Sequence, residues 1–308
     1  YALVVAVSAA IVIDHLAAAP TATARTTAFS QVTKGSGTSN VVYYRAAREE
    51  ANRTIRNRPA WRKFAAAAPQ TAGRPMIAII IDDMGPDQKN ARRAMTMAAP
   101  VTLSFLPYAD NLTPMVARAR ANGHEVLLHL PMEPDNSRFH RPGPNSLKTG
   151  LSKAELDRRL AWNLGRFKGY VGINNHMGSR FTADAQALRP VIDELRRRGL
   201  LFLDSRTTTQ SAGRRLALQA GVPYGVRDIF LDNERSAKRV AGQLRLVEKI
   251  ARRNGAVIAI GHPHDETLSA LEQWIGDLKQ RGFVLAPVSA VIARGYRVAD
   301  ADGLSNSR

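Results

Sequence analysis

The chain has 308 residues, with 44 Lys and Arg against 26 Asp and Glu, 44% hydrophobic residues and no cysteine. That length is one large domain or two ordinary ones, and the hydrophobic content excludes global disorder. Zero cysteine excludes disulfide staples, thiolate zinc sites, iron–sulfur clusters and a cysteine nucleophile.

The first segment is an unbroken apolar run from Tyr1 to Ile13, followed by Asp14, His15 and a small-residue stretch ending at Pro20. The run is too short to span a bilayer alone. Residues 1–20 are expected to be the remnant of a signal peptide or membrane anchor, making the protein exported or membrane-anchored in the periplasm or cell envelope. Residues 21–75 are low in complexity, then Arg/Ala-rich, and read as a basic linker with one short helix. Residues 1–75 hold 10 Lys and Arg against 3 Asp and Glu, whereas residues 76–293 hold 31 against 21. No long basic run occurs and aromatics are only 6%, which leaves little to stack on bases. The excess charge therefore reads as a solvated face, and no specific nucleic-acid partner is expected.

From Met76 a βα rhythm begins. The continuous apolar run 76–81 predicts a strand buried on both faces. A helix over 87–97, a strand over 101–106, a helix over 112–121 and a strand over 125–130 follow. A loop rich in Pro, Asn and Gly (131–150) leads to an amphipathic helix capped by Ser152, with Glu155 in the capping-box position. Strands over 170–173, 200–203, 224–226, 256–260 and 283–285 then alternate with helices over 185–198, 213–220, 236–253 and 267–280. Seven to eight βα units predict an α/β fold, a distorted or incomplete (β/α) barrel over 76–293, with 294–308 as a flexible tail.

In such barrels the site lies at the C-terminal ends of the strands. The first strand ends in Asp82-Asp83, and the third carries His129 with Glu133 four residues on. The fourth runs into Asn174-Asn175-His176, the fifth into Asp204-Ser205-Arg206, and a late one into His262-Pro263-His264. Any one of these could be a turn, a cap or a satisfied core histidine. Five strand ends sharing carboxylate and imidazole chemistry point to a divalent metal, Zn²⁺ foremost, with Mn²⁺, Co²⁺ or Fe²⁺ as less selective fits. Two histidines and one carboxylate leave coordination positions open, as in a catalytic site.

At these residues the chain resembles the divergent polysaccharide deacetylase family, a distant branch of the NodB-type carbohydrate esterases. The resemblance rests on the segment 76–83, Gly123-His124-Glu125 through His129 to Glu133, Asn174 to Ser179, Asp204-Ser205-Arg206-Thr207 and Gly261-His262-Pro263-His264. It implies the distorted barrel, Asp82 as general base, Asp83 and His129 as metal ligands, and His262 as the acid near the leaving group. The chain departs where the family carries its second ligating histidine, a position held here by Glu133. His176, outside the family's usual third motif, is by its strand end the expected third ligand, with Glu133 the alternative. Glu133, Arg180, Asp204, Arg206 and His264 are expected to contact substrate or steady the ligands, a structural ion pair being the alternative for the two arginines.

The expected function is metal-dependent removal of N-acetyl, less readily O-acetyl, groups from an envelope polysaccharide or peptidoglycan-like substrate. The other reading is a non-catalytic envelope protein that uses the barrel and metal site as a glycan-binding module.

Overall fold

Where an apolar run has no polar face, a strand must be covered on both sides, and β1 (Met76–Met84) is the central case. The computed structural model describes residues 58–136 and 139–295; the expected leader, most of the linker and the far end of the tail lie outside them. After α1 (Ala60–Lys63) the order is β1, α2 (Gln88–Ala94), β2 (Thr102–Phe105), α3 (Leu112–Ala121), β3 (Glu125–Met132), α4 (Lys153–Gly165) and β4 (Gly172–Met177). There follow α5 (Ser179–Ala183), α6 (Ala185–Arg198), β5 (Leu201–Asp204), α7 (Gly213–Ala220), β6 (Tyr224–Val226) and β7 (Ile229–Phe230). The last elements are α8 (Ala237–Asn254), β8 (Ala256–Gly261), α9 (Asp265–Gly276), β9 (Val284–Leu285) and α10 (Val288–Ala293). No helix among the described residues is long and apolar enough to cross a membrane.

The strands pair in parallel in the order β6-β5-β4-β3-β2-β1-β8-β7, with β9 added to β1. One short run joins the two edge strands, β6 and β7, which do not pair with each other. The Arg227 N–H donates to the Asp204 carbonyl at 3.0 Å, and the next N–H, of Asp228, donates to the Ile258 carbonyl at 2.9 Å. The chain thus passes from β5 to β8 within β6–β7, and the result is a distorted (β/α) barrel. Sequence periodicity did not resolve α5, α10 and β7, because five, six and two residues are too few to display a period. The cap expected for α4 is present: Ser152 Oγ accepts from the Glu155 N–H at 3.3 Å.

Side chains alternate along each strand. Ile77, Ile79 and Ile81 of β1, with Leu103, Phe105, Leu128, Ile173 and Phe202, join the layer beneath the helices. Met76, Ala78 and Ile80, with Leu127, Leu201, Leu203, Ile258 and Ile260, fill the barrel interior, where Val288, Val291 and Ile292 of α10 and the side chains of Trp61 and Phe64 pack against them. Parity therefore sends Asp82, Ser104, His129, Asn174, His176 and His262 to the interior side at the top of the barrel. It sends Glu125 to the interior at the opposite end.

Glu125 is fully buried there and binds the start of α10 to β3. Its carboxylate accepts from the Ser289 N–H at 2.9 Å, from Ser289 Oγ and from the Ala66 N–H at 3.4 Å. Burial pushes its carboxyl up from 4.5 to about 7 despite these donors. In the unfolded chain Glu125 ionises near 4.5, so between 4.5 and 7 the folded state holds the extra proton. Its contribution to stability is complete below 4.5 and is lost as pH rises through 7. Urea unfolding of wild type and Glu125→Gln should show the variant gaining about 3 kcal/mol on the wild type between pH 4.5 and 7.5. A difference independent of pH would rule out a neutral, buried Glu125.

Candidate metal centre and active site

Successive residues of a strand face opposite ways, yet Asp82 and Asp83 both serve the top of the barrel. The backbone explains this. Asp83 has φ 53°, and the register between β1 and β2 slips between Ile81 and Met84. The left-handed turn swings Asp83 back over the interior. Met177 and Arg206, at the ends of β4 and β5, share this unusual conformation, with φ 56° and 51°. Backbone strain of this kind is kept where the surrounding structure over-determines it, often at functional sites.

Asp83 Oδ1, His129 Nε2 and His176 Nδ1 form a triangle. Asp83 Oδ1 lies 3.2 Å from His129 Nε2 and 2.9 Å from His176 Nδ1, and the two nitrogens are 3.2 Å apart. Asp83 Oδ1 is shielded from solvent, yet no hydrogen bond of acceptable direction satisfies it. Asn174 explains which atom His129 offers. Its Nδ2 donates to both Asp82 oxygens, at 2.8 and 3.0 Å, and to Ser205 Oγ at 3.1 Å. Its Oδ1 therefore accepts, from Ser104 Oγ at 2.5 Å and from His129 Nδ1 at 2.9 Å. With Nδ1 directed to Asn174 Oδ1, Nε2 is the nitrogen that His129 turns to the triangle. A histidine held by a carbonyl behind and open in front is the usual arrangement of a metal ligand.

The cluster fits a cation. A tetrahedral ion with bonds of about 2.0–2.1 Å keeps its ligands about 3.3 Å apart, close to the edges of this triangle. Burial would raise the Asp83 carboxyl, but the two imidazoles outweigh it and hold Asp83 far below the usual carboxylate range. Burial would lower His129, but Asp82 and Asp83 reverse the sign and raise it. Positive charge is favoured at this point. Asp82, 2% exposed, is raised by desolvation, which His129 and His262 offset only in part.

The other imidazole of the site is held by a residue that sequence reasoning missed. Asp232, just beyond β7, accepts from the His262 N–H at 2.6 Å, from His262 Nδ1 at 3.0 Å and from Thr267 Oγ1 at 2.8 Å. His262 Nε2 is left facing the cleft, 4.0 Å from Asp83 Oδ2. Burial pulls His262 down, but Asp232 prevails and its imidazole is pushed up to about 9. Asp232, His262 and His264 also lie close enough to hold an ion. Both oxygens of Asp232 are already spent on His262 and Thr267, however, so it acts as an orienting carboxylate.

The remaining expected residues stand further off. Glu133 turns away from the triangle: its Oε2 accepts from Thr149 N and Oγ1, both at 2.7 Å, and Arg180 lies 4.0 Å from its other oxygen. Asp204 falls on the outward parity of β5, beside Phe202, where it accepts from Ser211 Oγ at 2.6 Å, Tyr224 OH at 3.2 Å and the Arg206 N–H at 2.8 Å. It braces a turn, while Ser205, the next residue, reaches Asn174. Arg206 meets Asp204 through its backbone and not its guanidinium. His264 stacks on His262, ring centroids 5.8 Å apart, and does not join the triangle.

A model of the family described as divergent polysaccharide deacetylase matches residues 79–292. The chain belongs to this family. It is 35% identical over 215 residues to YibQ of Escherichia coli, a protein described as uncharacterized, covering 70% of this chain and 66% of that one. The chain thus spans just under two thirds of that relative's length. An uncharacterized protein of Haemophilus influenzae is 32% identical over 204 residues, 66% of this chain and 72% of its own length. The crystal structure of an uncharacterized protein from Agrobacterium tumefaciens C58 superposes with a TM-score of 0.73 at 32% identity. It covers 76% of this chain and 95% of that one. This family member has a deacetylase-type barrel with His and Asp side chains grouped as a possible metal site.

Proposed function

We propose that the protein is a metal-dependent hydrolase of the cell envelope that removes acetyl groups, N-linked in preference to O-linked, from a polysaccharide. The observation that carries this reading is the unsatisfied Asp83 Oδ1 between two imidazole nitrogens, with Asp82 and His262 on either side. Asp83, His129 and His176 would hold the ion. When bound, a divalent ion of the Zn²⁺ type supplies a Lewis acid for the acetyl carbonyl and lowers the pKa of water to about 7. Asp82, its position set by Asn174, accepts the proton that the attacking water gives up. Its raised pKa makes it a stronger base than an exposed aspartate. His262, protonated at neutral pH, passes its Nε2 proton to the departing sugar nitrogen as the carbon–nitrogen bond breaks, leaving acetate and a free amine. Asp232 accepts the Nδ1–H of His262, and its charge favours the doubly protonated ring that carries a second proton on Nε2, towards the cleft.

The test is acetate release from a panel of N-acetylated glycans, chito-oligosaccharides and peptidoglycan fragments among them. Release should be abolished by a chelator and restored by Zn²⁺. No acetate from any panel member, with glycan binding intact, would replace this reading with that of a binding module.

A further inference from the structure

Four residues beyond His129, a cavity of about 460 Å³ opens between 133–134 and 140–148, lined among others by Glu133, His140, Arg141, Gly143, Ser146 and Lys148. The first residues of the loop that lines it are tied to the turn that follows β4. The Phe181 N–H, five residues beyond His176, donates to the Glu133 carbonyl at 3.1 Å, and the Asp135 N–H donates to Ser179 Oγ at 2.9 Å. Its far side rests on Tyr108. Gly143 has φ +97°, and a Cβ there would lie 2.5 Å from the Tyr108 ring, so only a glycine lets the backbone settle against it. Tyr108 in turn lies within the field of Asp83: burial and that negative charge push its hydroxyl up to about 12. The Tyr108 ring is half-buried, and its hydroxyl has no hydrogen-bond partner among the described residues.

Cations outnumber carboxylates in the cavity wall. Glu133, the carboxylate in its wall, is occupied by Thr149. Arg141 and Lys148 are exposed and have no carboxylate partner among the described residues. A wall with two cations that have no carboxylate partner, against one carboxylate held by Thr149, favours an anion, which a guanidinium binds with two parallel hydrogen bonds. We propose that this cavity is a subsite for an anionic substituent, carboxylate or phosphate, on the glycan whose acetyl group reaches the metal cluster. The inference rests on the deacetylase reading and narrows its substrate to an acidic polysaccharide.

Calorimetric titration of the Zn²⁺-loaded full chain tests it with four probes. These are a neutral chito-oligosaccharide, one of equal length with a lactyl carboxylate on alternate sugars, the methyl ester of that acid, and a phosphorylated chito-oligosaccharide. An anionic probe should bind about tenfold or more tightly than the neutral ones, the worth of one charge-assisted hydrogen bond. Whether the carboxylate or the phosphate gains identifies the source. The double variant Arg141→Gln, Lys148→Gln should lose the preference while binding the neutral probe within about twofold of wild type. Equal binding of acid, ester and neutral probe, or a preference that survives in the double variant, overturns the proposal. Acetate release, measured in parallel, keeps the two readings apart. Release from all probes without an anionic preference sinks only the subsite, and an anionic preference without release sinks only the deacetylase.

Discussion

Alanine at His129 or at His176 should leave a folded protein without stoichiometric divalent metal and without metal-dependent acetate release. The two imidazoles and Asp83 Oδ1 supply three donors within 3.2 Å of one another, and removing one leaves two, too few for a tetrahedral site. His129 is the more demanding case, because it is buried and its Nδ1 also satisfies Asn174 Oδ1. His176→Ala, on a half-buried side chain, separates metal loss from misfolding. Elemental analysis and circular dichroism on both variants decide the matter, with Glu133→Gln as the comparison. Glu133 is held by Thr149 away from the triangle, so that variant should keep its metal. Full occupancy in His129→Ala and His176→Ala would refute the ligand set, and loss in Glu133→Gln alone would move the third ligand to position 133.

Asp82→Asn and His262→Ala should keep metal and fold yet turn over about 10²–10⁴-fold more slowly, the usual contribution of a positioned acid or base. Asparagine at 82 still accepts from Asn174 Nδ2 but has no basicity to offer the attacking water. Alanine at 262 removes the proton donor and leaves Asp232 with Thr267 as its remaining side-chain partner. Asp232→Asn is the finer variant. It leaves the imidazole in place but removes the charge that holds its proton, so the rate should fall with metal occupancy unchanged. Single-turnover acetate release on metal-loaded protein measures all three. Wild-type rates in Asp82→Asn would remove Asp82 from the reaction, whereas loss of metal in either the Asp82 or the His262 variant would make that residue a ligand.

Much of this was legible in the residues. Continuous apolar runs that end in Asp82-Asp83, His129 and His262 marked both the strands and the chemistry at their tips, because a buried strand can become polar only where it leaves the sheet. Simple alternation would also have turned Asp204 outward, since Phe202 and Asp204 share a face of β5. Asp232 stayed hidden because its strand, β7, is two residues long and carries no period. Asn174 resembled any polar residue at a strand end until its amide was seen bonded to Asp82, His129, Ser104 and Ser205 at once.

Chain order and residue type were enough for the barrel class, for the end of the barrel that carries the site, and for a donor set of oxygen and nitrogen without sulfur. Strand-end position already favoured His176 over Glu133, but what holds Glu133 away from the triangle depends on two facts distant along the chain. Thr149, sixteen residues after Glu133, captures that carboxylate with two hydrogen bonds. The left-handed turn at Asp83 carries one oxygen across to two imidazoles on neighbouring strands. Spacing along a strand sets which face a side chain leaves from. Which donor then captures it depends on what the fold places within 3 Å.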